Sequence, residues 1–200
     1  AWHGQRICAM AVCYSGNLAD AAEVLAPIRA LRDPVVDLLD ELPYTAVQSL
    51  FDGTEPKGMH YYWKTEYAAE VTDDVLSAFQ ELFASCPIPG AELGILHPGG
   101  AINEREEDDG AVGNRDARYV LGVLGMWEPD EPKGEGFERW VRDAGARLRP
   151  FSTGRTYINF QTADEGDERV RATYGANFDR ILEIKRKYDP NNLFRLNQNI

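Results

Sequence analysis

ARYVLGVLGMW, Ala117 to Trp127, is the stretch from which the fold is read. Its β-branched and aromatic content predicts a long strand. Side chains alternate along a strand, so Tyr119, Leu121, Val123 and Trp127 point one way and Val120, Leu124 and Met126 the other. Both sets are apolar, so both faces should be covered. Upstream, AELGILH reads as a second strand, and GGAIN turns or continues it. Further back, HYYWKTEYA from His60 is aromatic and strand-like. Thr72 is an N-cap, Asp73 and Asp74 suit a first helical turn, and Val75, Leu76, Phe79, Leu82 and Phe83 make a helical stripe. Downstream, Phe137, Trp140, Val141, Ala144 and Leu148 fit an amphipathic helix, and RTYINF reads as the next strand. From His60 to Phe160 the order is strand, helix, strand, strand, helix, strand. This is the split βαβ, ferredoxin-like pattern. It predicts an α+β fold with an antiparallel sheet and both helices on one face, the other face needing a second layer.

Outside this core the signals are weaker. Ile7 to Tyr14 reads as a buried strand, followed by a helix over Leu18 to Leu31. Pro34 to Gln48 reads as short helical pieces broken at Pro43, and FDGTEPKG as a loop. The run EREEDDG is an exposed acidic loop, and the last helix carries Phe178, Ile181 and Leu182. The sequence opens AWHGQRICAM, beginning with Ala1 and not with Met, and close to a predicted strand. It reads either as a chain cut at a domain border or as one that has lost a tag or initiator Met. The close, YDPNNLFRLNQNI, is rich in neutral amides.

Composition excludes some partners. With 21 Lys+Arg against 33 Asp+Glu, the net charge of −12 repels nucleic acid and anionic membrane. No apolar run reaches the ~20 residues of a membrane span, and no signal is visible, so a cytoplasmic location is expected. Cys8, Cys13 and Cys86, odd in number and set among apolar residues, read as packed free thiols. His3, His60 and His97 show no metal spacing, and P-loop, GxGxxG, HExxH and CxxC motifs are absent.

YINF, Tyr157 to Phe160, carries more chemistry. In a strand Tyr157 and Asn159 share one face, so a phenol and an amide project together. Spacing leaves two readings open: a half-buried tyrosine bonded to backbone, or, with the amide-rich tail, a surface of neutral donors and acceptors suited to a flat heteroaromatic ligand with imide edges.

At these residues the sequence resembles the berberine bridge enzyme-like flavoprotein oxidases. Their C-terminal segment is matched here by Tyr157-Ile158-Asn159-Phe160, Tyr174-Gly175-Ala176-Asn177 and Lys187-Tyr188-Asp189-Pro190, and LPYTAVQSLFDG, YYWKTEY, HPGGAIN and NRDARYVL resemble the bacterial branch. The resemblance covers most of the 200 residues. It implies a substrate-binding domain over 1–155 and, over 156–200, a berberine-bridge-type segment that packs back toward an FAD domain not present in this sequence. It implies oxidation of a small organic substrate, of alcohol or amine type, by hydride transfer to FAD, with oxygen as acceptor. These 200 residues alone are then expected to be inactive, to bind FAD weakly or not at all, to lean on that FAD domain as partner, and to self-associate through the exposed flavin-facing surface.

The resemblance also assigns roles. Tyr157 becomes the catalytic base; an ordinary phenol has a pKa of ~10, so such a base needs help from the flavin site or cations. Asn159 and Asn197 become cofactor contacts. Tyr62 and Trp63 lie on the strand that lines the substrate side. Five residues before Trp127, where the family often places Glu, Gln or Asn facing the substrate, stands Gly122, which can neither act as base nor orient a hydroxyl. The competing reading is a non-catalytic ferredoxin-like module that binds a protein partner.

Overall fold

The long strand forms as read and organises the rest. In the computed structural model, which describes residues 4–200, it is β3, Tyr119–Trp127, the middle strand of three. β1, His60–Ala68, and β2, Glu92–Leu96, flank it, both antiparallel, in the order β1-β3-β2. The register pairs Tyr62 with Gly125, Lys64 with Val123, Thr65 with Gly122 and Glu66 with Leu121. Gly94 of β2 pairs with Gly122 from the other side.

Two compact units divide the chain, residues up to Lys57 and residues Gly58–Ile200. In the first, Ile7 to Tyr14 forms no strand, and Ile7 is 61% exposed. A lone apolar stretch gains strand structure only by pairing, and no strand of the described residues pairs with it. Cys8 and Cys13 are exposed there rather than packed, and Cys86 is half-buried; all three are free thiols. The expected helix is present as a 3-10 turn, Leu18–Asp20, running into α1, Ala21–Arg29, with Asn17 Oδ1 accepting from the Ala19 amide. Of the helical pieces expected over 34–48, only α2, Tyr44–Val47, forms, directly after Pro43. His3 lies outside the described residues.

In the second unit, α3, Asp73–Ser85, starts at the predicted cap: the Val75 amide donates to Thr72 Oγ1 at 3.4 Å. α4 spans Gly134–Leu148. Both helices pack on one sheet face, around Val75 and Leu82 from α3, Phe137, Val141, Ala144 and Leu148 from α4, and Leu121 and Val123 from β3. Each of the Val, Leu and Phe side chains among them contributes about 1.5–3 kcal/mol on burial. Leu76 and Phe83 lie on the outer side of α3 and stay exposed. α4 sits close to β1, because Gly145 has no Cβ; one built there would fall 2.6 Å from Lys64 Cβ.

The predicted last strand, RTYINF, does not form. Its start pairs with the edge of β1 through two bonds: the Tyr67 amide donates to the Arg155 carbonyl and the Thr153 amide to the Tyr67 carbonyl, each at 2.8 Å. This is where a fourth strand of the split βαβ pattern belongs. The chain then leaves the ladder at Ile158–Phe160, a 3-10 turn. α5, Asp167–Tyr174, and α6, Phe178–Tyr188, follow. No described helix is long and apolar enough to cross a membrane.

Candidate active site at the sheet edge

The segment from Thr153 to Arg169 wraps the free edge of β1, and β1 holds it on both sides. Alternation along β1 sends Tyr62, Lys64, Glu66 and Ala68 to the helix face and Tyr61, Trp63, Thr65 and Tyr67 to the other. Both Tyr62 and Trp63 are on β1, as expected, but they point to opposite faces of the sheet. Tyr62 packs against the helix-side core, and its hydroxyl donates to Asp164 Oδ2 at 2.6 Å. Trp63 points the opposite way, and its indole N–H donates to the Phe160 carbonyl at 2.8 Å.

On the face away from the helices, Tyr67, Ala117 and Val120 form a small core against which Tyr157 and Phe160 pack. Thr65 and Thr156 share a hydrogen bond of 2.5 Å between their hydroxyls, which fixes the residue before Tyr157. Tyr157 and Asn159 meet although they are not on a strand: Asn159 Nδ2 donates to the phenol oxygen at 2.7 Å. The Phe160 ring stands edge-on to the Tyr157 ring, with centroids 5.3 Å apart. A hydrogen bond donated to a phenol oxygen steadies negative charge there and leaves the phenol proton free to be exchanged with a ligand. Burial raises the pKa of the neighbouring Tyr67, the closeness of Tyr157 adds to the rise and Arg115 opposes both, so Tyr67 stays a neutral phenol.

Gly122 lies on this same face. A Cβ placed on it would meet nothing closer than Thr65 Cγ2 at 3.7 Å and the Gly94 carbonyl at 3.8 Å, so a side chain has room but none is supplied. Asn197 adopts a left-handed conformation, φ 60°, and is exposed. Its neighbour Gln198 donates to the Gln161 carbonyl at 3.0 Å, which returns the tail to the residue after the Tyr157–Phe160 turn. Asn192 is also left-handed, φ 52°. Two of the tail's amides thus serve turns that asparagine tolerates better than most residues, and one docks within the chain.

The helix side holds a set of charges that sequence reasoning missed. Lys64 Nζ donates to Thr162 Oγ1, Asp164 Oδ1 and Glu165 Oε1 at 2.7, 2.8 and 2.7 Å. Arg169 bridges Glu165 and Glu66 at 2.7 and 2.8 Å. Ser152 donates to Glu66 at 2.6 Å. Burial pushes the Asp164 carboxyl up, but hydrogen bonds from Lys64, Thr162 and Tyr62 outweigh it and hold the group well below the usual carboxylate range. Burial works against the Lys64 ammonium, yet its bonds to Asp164 and Glu165 raise it above an ordinary lysine. Burial and the bond to Asp164 likewise raise Tyr62. Each charge here has a partner, so the network fastens 162–169 to β1 and leaves no group poised for proton transfer. The alternation of HYYWKTEYA gave the one available signal: Lys64 and Glu66 fall on the face that the helices cover, where charges need partners.

Tyr157 and Asn159 on the far face are neutral donors and acceptors, and this chemistry fits the imide edge of a flavin ring.

Comparison with known proteins finds similar sequences and folds. Residues 156–200 match the family model described as berberine and berberine like. An FAD-linked oxidoreductase of Dictyostelium discoideum is 25% identical over 189 residues, covering 94% of this chain and 41% of the relative. Tetrahydroberberine oxidase of Berberis wilsoniae is 28% identical over 162 residues, covering 72% and 30%. Among solved structures, Physcomitrella patens BBE-like 1 superposes with a TM-score of 0.76 at 18% identity, covering 94% of this chain and 43% of that one. The 6-hydroxy-D-nicotine oxidase of Arthrobacter nicotinovorans gives 0.76 at 23%, covering 92% and 42%. The chain spans less than half the length of these relatives, which come from an amoeba, plants and a bacterium. It carries a berberine-like segment at 156–200, and over most of its length it is similar to FAD-linked oxidoreductases and shares their fold.

Proposed function

We propose that this chain forms the substrate side of an FAD-dependent oxidoreductase that oxidises a small alcohol or amine, with oxygen as the final acceptor. In this reading residues 1–155 belong to the substrate-binding part, the segment from 156 packs toward an FAD-binding domain, and the protein's partners are that domain and the small-molecule substrate. The observation that carries the reading is the Tyr157–Asn159 pair, a phenol oxygen with a 2.7 Å amide donor, on the sheet face away from the helices and inside the berberine-like segment. Tyr157 takes the proton from the substrate O–H or N–H as the adjoining C–H bond gives up a hydride, so the product is a carbonyl or an imine. FAD, when bound, accepts that hydride. Asn159 steadies the oxygen that receives the proton, and its side-chain carbonyl, with Asn197, would hold the flavin's imide edge. Trp63 walls the substrate space, and Gly122 leaves it open above the sheet.

The test is anaerobic mixing of the complete flavoprotein with a panel of small alcohols and amines while flavin absorbance is followed. Bleaching by at least one class is expected. A complete protein that carries no flavin contradicts the reading and favours a non-catalytic ferredoxin-like module.

A further inference from the structure

We infer that Trp63 is a positioning residue for the Tyr157–Asn159 pair: its indole N–H, donated to the Phe160 carbonyl, sets the turn on which that pair stands. This rests on the proposed role of Tyr157 for its catalytic meaning, but not for its geometry. The turn is three residues long, closed by the Phe160 amide on the Tyr157 carbonyl at 2.8 Å and the Gln161 amide on the Ile158 carbonyl at 3.2 Å. A single 3-10 turn does not hold itself together in water, and its last carbonyl has no partner inside it. Trp63 supplies that partner from the neighbouring strand at 2.8 Å. What the bond fixes is passed on by contact. The Phe160 backbone, once held, places the Phe160 ring edge-on against the Tyr157 ring, and Asn159, between them in the turn, meets the phenol oxygen.

The rest of the segment is fixed independently of Trp63. Before the turn stand the Thr65–Thr156 hydroxyl pair and the Tyr67–Arg155 backbone bond. After it stands Lys64, gripping Thr162, Asp164 and Glu165 from the opposite side of β1. Loss of the indole bond should therefore loosen Tyr157 to Gln161 without undoing the fold. Because the effect depends on the N–H and not on ring bulk, it separates from a plain packing role.

The experiment replaces Trp63 in the complete protein with benzothienylalanine, which keeps the shape of the indole and lacks its N–H; Trp63→Phe is the second variant. Amide exchange at Phe160 and Gln161 is expected to quicken about five- to tenfold, the size of one net hydrogen bond, with β3 amides such as Leu121 and Val123 unchanged. The ring-carbon resonance of labelled Tyr157 should move while that of Tyr62 does not. With flavin bound, the limiting rate of flavin reduction should fall about tenfold, and in the benzothienylalanine variant, which keeps the ring's shape, it should do so without a matching change in substrate affinity. Unchanged exchange and an unmoved Tyr157 signal overturn the inference and leave Trp63 as wall only. A moved turn with an unchanged reduction rate upholds the positioning and refutes the base role of Tyr157.

Discussion

Lys64→Met is the perturbation that most directly probes how the active segment is held. Methionine keeps the unbranched stem that fills the space under Gly145, so packing survives while the ammonium goes. Removing one partner of a buried ion pair costs about 3–5 kcal/mol, because the other charge is left behind. Here that figure must be reduced. The Asp164 side chain is 38% exposed and regains water once released. Glu165 is 5% exposed but keeps Arg169 at 2.7 Å. An expected loss of about 2–3 kcal/mol follows for the 58–200 unit, which for a unit of this size lowers its melting temperature by about 4–12 °C. The assay is denaturant unfolding at neutral pH followed by near-ultraviolet circular dichroism, since Tyr62 and Trp63 lie beside the break. A loss under about 0.5 kcal/mol would refute the argument, for it would mean that the network is dispensable and that the segment is held by apolar contact alone.

The same network sets a pH dependence. Asp164 has its carboxyl pKa lowered on folding, so the stability it contributes is complete above the ordinary carboxylate pKa of ~4 and is lost as pH falls through the lower folded value; Asp164→Asn should flatten the acid limb of a melting-temperature profile, and an identical acid limb would count against the assignment. Lys64 has its pKa raised, so its contribution is complete below ~10.4 and is lost as pH rises through the higher folded value; Lys64→Met should flatten the alkaline limb. Gly145→Ala sets two effects against each other. Helix propensity favours alanine by about 1 kcal/mol, but the new Cβ would stand 2.6 and 2.8 Å from Lys64 Cβ and Cγ. Overpacking of this kind costs about 1–3 kcal/mol, so a net loss is expected in thermal melts, and a stabilised variant would show that α4 shifts freely on the sheet.

Strands and helices whose apolar pattern is closed by near neighbours were legible in the sequence. The period of two in Tyr119 to Trp127 and the helical stripe from Phe137 to Leu148 both describe the observed core, and Thr72 caps α3 as read. The same alternation, applied to HYYWKTEYA, separates Tyr62 from Trp63, and the structure places them on opposite faces. Ile7 to Tyr14 misled because apolar content alone does not make a strand without a partner to pair with. Tyr157 and Asn159 do come together, but through a turn and not through the faces of a strand. That turn depends on Trp63, nearly a hundred residues earlier, and pairings at such separation leave no local periodicity. The Lys64–Asp164–Glu165 contacts were hidden for the same reason.

The proposed role of Tyr157 in taking the substrate proton is tested most directly by rapid mixing of the flavin-loaded protein with substrate, followed by flavin absorbance across pH. A positioned base is typically worth 10²–10⁴-fold, about 3–5 kcal/mol of barrier. Tyr157→Phe should slow flavin reduction by about that factor with flavin content intact. Asn159→Ala should disturb the flavin spectrum more than the proton step. Because Gly122 offers no second base on this face, little pH-dependent reduction should remain in the Tyr157 variant. A Tyr157→Phe protein that reduces its flavin at the unaltered rate would contradict the account.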